Sequence, residues 1–205
     1  MKEIYIIRHA ESISNAGEKT ENQNTVPLSE KGKIQAKELA ERLNVIPELI
    51  VVSQYSRTTE TAMPFIEKHP SIPIETWDVH EFIYLDPKIY SGTTAEQRFE
   101  SVKKYWNEAS VHYKEADGSE SFSEMTKRIA KLINDLKERP EKIITIFSHA
   151  RFIQAIKLYI EKVKELGRYN LTDEELNELK EIHREEIVGR KKFPIENASV
   201  HKIEI

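Results

Sequence analysis

The chemistry-bearing residues of this chain stand where apolar runs break. Ile4-Tyr5-Ile6-Ile7 runs into Arg8-His9, Leu49-Ile50-Val51-Val52 is followed by Arg57, and Ile143-Ile144-Thr145-Ile146-Phe147-Ser148 runs into His149. If these four side chains converge, two guanidinium forks offer parallel charge-assisted hydrogen bonds to the oxygens of a phosphoryl group. A neutral imidazole keeps a lone pair near pH 7 and can attack phosphorus, giving a phosphohistidine. The second imidazole can donate to the equatorial oxygens, where charge gathers in the transition state. The leaving alcohol needs a proton, which Glu81 can supply before it activates water for the second half-reaction. Helix amino termini after residues 57 and 149 would add backbone donors. Such a site calls for no metal, because arginines and imidazoles already balance the charge.

Those positions require strands that deliver side chains to one end of a sheet. Four consecutive apolar residues in the first run read as a strand covered on both faces, and open α/β sheets work at the carboxyl ends of their strands. Residues 49–53 read as a second such strand, and Ile72 and Ile74 ahead of Trp77 as a third. Between the strands lie helical patterns. One is opened by Ser29 and carries Ala36, Leu39, Ala40 and Leu43, and another starts near Thr58. Gly32, in the first turn of the former, implies a close backbone approach. The clearest amphipathic pattern is Phe122, Met125, Ile129, Leu132, Ile133 and Leu136, halted by Pro140. Thr93 or Thr94 is a candidate cap for a helix through Phe99, Val102, Tyr105 and Trp106, and Thr172 to Glu175 has the form of a capping box. Residues 199–205 alternate apolar and polar, as an edge strand does. The expected architecture is a three-layer α/β/α sandwich around a mostly parallel sheet, with an edge strand at the carboxyl end. It forms a single catalytic domain over residues 1–205 with the 82–120 region as a lid.

Composition narrows the function classes. Among 205 residues, 31 basic and 35 acidic side chains leave a formal charge of −4, which gives no reason to expect nucleic-acid binding. Cysteine is absent, so thiolate nucleophiles, disulfides and cysteine-ligated metals are excluded. Neither a membrane-length apolar stretch nor a signal-peptide pattern is evident, and the expected location is cytoplasmic.

The ordered set of motifs resembles the histidine phosphatase superfamily, also called phosphoglycerate-mutase-like. The likeness runs through Arg8-His9-Ala10-Glu11, Asn15, Pro27-Leu28-Ser29-Glu30-Lys31-Gly32 with Gln35-Ala36, Ser53 to Thr58, Thr61-Ala62, His80-Glu81, Gly118 to Phe122 and Ser148-His149-Ala150. The resemblance implies that His9 is the nucleophile, that Arg8, Arg57 and His149 bind the phosphoryl group, that Glu81 is the proton donor, and that Asn15 is an accessory phosphate contact. It implies no cofactor. Alanine stands at 10 and 150, where the family pattern usually has glycine.

The leading expectation is a metal-independent phosphomonoester hydrolase for a small phosphorylated metabolite. A phosphoglycerate-type mutase using the same groups and a non-catalytic phosphate-binding protein are the alternatives. His69, His80, His112, His183 and His201 read as structural or exposed. Tyr84, Tyr90, Tyr105, Trp106 and Tyr113 could line the lid or pack at helical spacing. Arg190-Lys191-Lys192 reads as a solvated turn, and the last strand could pair across a homodimer axis.

Overall fold

The computed structural model describes residues 2–187 and 195–205. The Arg190-Lys191-Lys192 turn lies outside them. Five strands form one sheet: β1 (Glu3–Arg8), β2 (Leu49–Ser53), β3 (Ile74–Trp77), β4 (Ile143–Ser148) and β5 (Val200–Glu204), in the order β3-β2-β4-β1-β5. β1, β2, β3 and β4 run parallel to one another, and β5 runs antiparallel along β1 at the edge.

Alternation along the buried strands divides the core into two layers. Ile4, Ile6, Leu49, Val51, Ile144 and Ile146 pack on one face of the sheet. Ile7, Ile50, Val52 and Phe147 pack on the other. The second face is covered by helices α1 (Glu30–Arg42) and α2 (Ser56–Lys68), through Ala36, Leu39, Ala40, Ala62 and Phe65. The first face carries helices α4 (Phe122–Glu138), α5 (Ala150–Leu166) and α6 (Asp173–Ile187), while the short α3 (Phe99–Asn107) adds Tyr105 and Trp106 to the same core. The expected three-layer sandwich is therefore the observed one.

Local chemistry explains the helix starts. Ser29 accepts from the Gly32 amide, and Ser121 with Glu124 closes a reciprocal capping box ahead of α4. All six residues of the α4 stripe are buried. A Cβ on Gly32 would lie 1.9 Å from the Glu11 carbonyl oxygen, so this glycine lets α1 rest against the loop that follows β1. Two starts differ from the sequence reading. Helix α2 begins at Ser56, which places Arg57 inside its first turn. Thr94 exchanges bonds with Gln97 in a turn of its own, and α3 begins only at Phe99.

Candidate active site

Register brings the two histidines together. β1 and β4 pair in parallel with Arg8 opposite Ser148, so the next residue on each strand is a histidine, and the His9 amide donates to the Ser148 carbonyl at 3.0 Å. The two rings lie 5.1 Å apart. β2, on the far side of β4, ends at Ser53, whose hydroxyl is 2.8 Å from His149 Nε2.

His9 is buried, and its Nδ1 lies 2.7 Å from the Ala10 carbonyl oxygen. A carbonyl can only accept, so Nδ1 carries the proton and Nε2 keeps the lone pair. Arg57 Nε donates to that Nε2 at 3.3 Å. Burial first, then the positive charges of Arg57 and Arg8, holds the imidazole well below its usual pKa, so it is neutral at pH 7. His149, wholly buried, is pushed the same way by burial and by Arg57. Its Nδ1 has no hydrogen-bond partner among the described residues.

Arg57 reaches the site from the first turn of α2. Its Nη1 donates to the Gln23 carbonyl at 2.7 Å, its guanidinium rests 4.6 Å from the centre of the Tyr55 ring, and burial lowers its pKa to about 10. Arg8 is held from the far end of the chain. Its Nη1 donates to the Ile195 carbonyl at 2.7 Å, while the Asn197 side chain and the Ala198 amide both donate to the His9 carbonyl. Arg42 of α1 reaches the Ala198 carbonyl, and Ala198 takes a left-handed conformation with φ of 55°.

Glu81 follows β3 and caps α5. Its Oε1 accepts from the Arg151 and Phe152 amides, both at 3.1 Å, and from its neighbour Phe82. The amino-terminal donors of α5 that the sequence suggested for phosphate thus hold a carboxylate instead. Oε2 keeps only a 3.5 Å contact with the Arg151 amide and lies 3.9 Å from Arg151 Nη1, leaving it the freer oxygen for proton exchange.

Arg8, His9, Asn15, Arg57 and Glu81 all line one cavity of about 310 Å³. His149 does not line it but stands against the His9 ring. Asn15 is an exposed rim residue whose Oδ1 accepts from the Ser12 amide and hydroxyl and from Asn197, so it also fastens the turn after β1. Residues 82–120 supply Tyr84, Ala95, Arg98, Phe99 and Val102 to the cavity wall. Of the aromatics expected there, Tyr84 lines this cavity and Tyr90 lines a smaller adjoining one of about 130 Å³, while Tyr105 and Trp106 are wholly buried in a cluster with Phe82 and Phe122. Sequence reading missed Arg98 and Arg151. The signal for Arg151 was its place two residues after His149, in the first turn of α5.

Among the described residues no three His, Cys, Asp or Glu side chains gather as a metal site requires, and no helix is long and apolar enough to cross a membrane. A separate cleft of about 490 Å³, lined by Trp77, Arg128 and Lys131 among others, shares none of the residues named above for the active site.

Comparison with known proteins agrees with the geometry. The family model for the histidine phosphatase superfamily (branch 1) matches residues 4–205. A protein named "Probable phosphatase C1687.21" from Schizosaccharomyces pombe is 24% identical over 165 residues, covering 78% of this chain and 74% of its own. Over 63 residues the chain is 36% identical to "Probable phosphoglycerate mutase GpmB" of Enterobacter sp. (strain 638), covering 30% of this chain and 29% of that one. The solved structure of mycobacterial glucosyl-3-phosphoglycerate phosphatase with VO3 superposes with a TM-score of 0.69 at 20% identity, covering 100% of this chain and 91% of that one. On its motifs, its fold and the match across nearly its whole length, this chain belongs to the histidine phosphatase superfamily.

Proposed function

We propose that the protein hydrolyses a small phosphorylated metabolite through a phosphohistidine. The observation that carries this reading is the state of His9: its Nδ1 proton is committed to Ala10, and its Nε2 lone pair stands beside Arg57 in a cavity shared with Arg8 and Glu81. Nε2 attacks phosphorus while the ester P–O bond breaks, and Arg8 and Arg57 take the charge of the phosphoryl oxygens. The departing alkoxide takes a proton from Glu81. Water then attacks the phosphohistidine, gives its proton to the Glu81 carboxylate and releases inorganic phosphate. His149 donates from Nδ1 to the phosphoryl group or steadies His9 across their ring contact, and Asn15 contributes at the rim. The 82–120 region acts as the lid. We read the absence of cysteine as fitting a cytoplasmic enzyme, and the outer edge of β5 as the surface a homodimer would pair through.

The test is an acid-labile phosphoenzyme trap combined with phosphate release in the presence of chelator. Wild-type protein should label and turn over, and His9→Ala should do neither while keeping its circular dichroism spectrum. Normal hydrolysis by His9→Ala would sink the mechanism. A mutase is the second reading, favoured by the stretch shared with a protein named as a probable phosphoglycerate mutase. It requires isomerisation of 3-phosphoglycerate, primed by 2,3-bisphosphoglycerate, to outrun phosphate release.

A further inference from the structure

Glu81 stands in a stretch that belongs to no helix or strand, residues 78–83, so the backbone carbonyls there need donors from outside a ladder. Arg128 of α4 donates through Nη1 to the carbonyls of Asp78 at 3.2 Å and His80 at 3.0 Å. Ser148, the last residue of β4, donates its hydroxyl to the Val79 carbonyl at 2.7 Å, and the Glu120 amide donates to the Ile83 carbonyl at 2.6 Å. The Glu81 carbonyl is served from within the stretch, by His80 Nδ1 at 2.7 Å.

The peptide unit between Glu81 and Phe82 is engaged on both sides. Its oxygen accepts from His80, and its N–H donates to Glu81 Oε1 at 3.1 Å. The unit is planar, so a donor fixed on the oxygen also fixes the direction of the N–H. Oε1 accepts from the Arg151 and Phe152 amides as well, and these three donors together leave Oε2 the freer oxygen.

The His80 ring is suited to this task. Burial, then the charge of Arg128, lowers its pKa, so the ring is neutral at pH 7 and has one proton to place. A carbonyl can only accept, so a proton on Nδ1 keeps the bond to Glu81. Nε2 faces Asp78 Oδ1 at 2.9 Å, and the Asp78 side chain is 66% exposed, where water can take the place of that contact. The ring itself stacks on Tyr55, with centres 5.9 Å apart and planes 23° from parallel. Tyr55 also carries the Arg57 guanidinium, so one aromatic steadies both His80 and the proposed phosphoryl-binding cation.

We propose that His80 is a positioning residue for the proton transfer: through the 81–82 peptide it sets the direction in which Glu81 presents its carboxyl group. His80 is not among the residues that line the cavity around His9, and it acts only through Glu81. The inference rests on the phosphohistidine reading above and adds a residue to it.

The test compares phenyl phosphate, whose leaving group needs a proton, with p-nitrophenyl phosphate, whose leaving group does not, in the pre-steady-state phosphorylation step. His80→Ala should slow phosphorylation by phenyl phosphate by about 3- to 10-fold, the scale of one hydrogen bond, and leave p-nitrophenyl phosphate nearly unchanged. Vanadate inhibition should stay as it is, since Arg8 and Arg57 are untouched. His80→Asn puts an amide N–H near the place of Nδ1 and should recover most of the rate. His80→Gln puts it near the place of Nε2 and should not. Thermal melting checks the fold of each variant, and if His80→Ala fails to fold, the contrast between Asn and Gln decides. Equal losses on both esters, an unchanged rate in His80→Ala, or equal rescue by Asn and Gln would overturn the positioning role and leave the phosphatase reading standing. Turnover of neither ester by wild-type protein would remove the phosphatase reading and the inference with it.

Discussion

Arg57 Nε donates to His9 Nε2 across 3.3 Å, so the proposed phosphoryl-binding cation and the proposed nucleophile already touch. The contact has two effects on one atom. It keeps protons off Nε2, and it holds the guanidinium beside the place where phosphorus must arrive.

Replacing Arg57 should therefore change both affinity and pH dependence. Arg57→Gln is expected to weaken vanadate inhibition by about 10- to 100-fold, the scale of a lost charged hydrogen-bond pair. Arg57 is the second cause, after burial, of the depressed His9 pKa. Its removal raises that pKa, so the acid limb of the rate profile should move to higher pH. Vanadate titration and a pH–rate profile from 4 to 8 check the two parts separately, and an unmoved acid limb would mean that the charge of Arg57 is not felt at Nε2.

Glu81 should matter in proportion to how badly the leaving group needs a proton. Glu81→Gln is expected to slow hydrolysis of alkyl phosphates by about 10²- to 10⁴-fold, the usual range for a general acid. Release of p-nitrophenolate, which leaves without protonation, should fall much less in the phosphorylation half-reaction. Burst kinetics on the two substrates measure this, and equal losses on both would assign Glu81 to holding α5 rather than to proton transfer.

The buried imidazoles make stability depend on pH in a definite direction. Unfolded histidine titrates near 6.5, whereas burial pushes His183 down to about 3 and His9 and His149 well below the usual range. Below pH 6.5 the unfolded chain gains protons that these folded imidazoles refuse. Their contribution is therefore full above 6.5 and declines as the pH falls toward each folded value. One such group changes stability by about 1.4 kcal/mol per pH unit inside its window. His183 stacks on Trp106 with ring centres 5.2 Å apart, so His183→Phe keeps a flat ring there. Urea unfolding between pH 7 and 4.5 should show a shallower loss of stability in His183→Phe, and an unchanged slope would mean that His183 takes up its proton without unfolding.

Gly32 gives a prediction about architecture. A methyl at this position meets the Glu11 backbone at 1.9 Å, and the Ser29 amide already bonds to that carbonyl at 2.9 Å, so neither side can yield cheaply. Gly32→Ala should destabilise the protein by about 1–3 kcal/mol, the usual scale of overpacking. Denaturant melts check this, and a neutral result would mean that α1 can slide away from the loop after β1.

Much of this was legible in the sequence because it depends on short-range patterns. Strand ends, the α4 stripe, the Ser29 cap and the close approach at Gly32 all follow from residue period and type within a few positions. The convergence of His9 and His149 also followed, once both were read as strand ends of one parallel sheet. What escaped notice depends on residues distant in sequence. Nothing near Glu81 says that it will seat on the amino end of α5, seventy residues later, and use the donors expected for phosphate. Arg151 drew no reading from the sequence, and only the folded chain sets Tyr84 and Glu81 around it. Tyr105 and Trp106 have the spacing of a lid face and of a core face alike, and only the surrounding Phe82 and Phe122 decide for the core.

The clasp that residues 195–198 place on Arg8 and His9 ties the reactive residues to a segment synthesised long after them, Ile195 following Arg8 by 187 residues. A growing chain on the ribosome can carry β1, β2, β3 and β4 and still lack the carbonyl that aims Arg8. Under the proposed mechanism, catalytic competence therefore waits until residues 195–198 have been made. A partial product that folds around the same core stays chemically silent toward the phosphate esters around it.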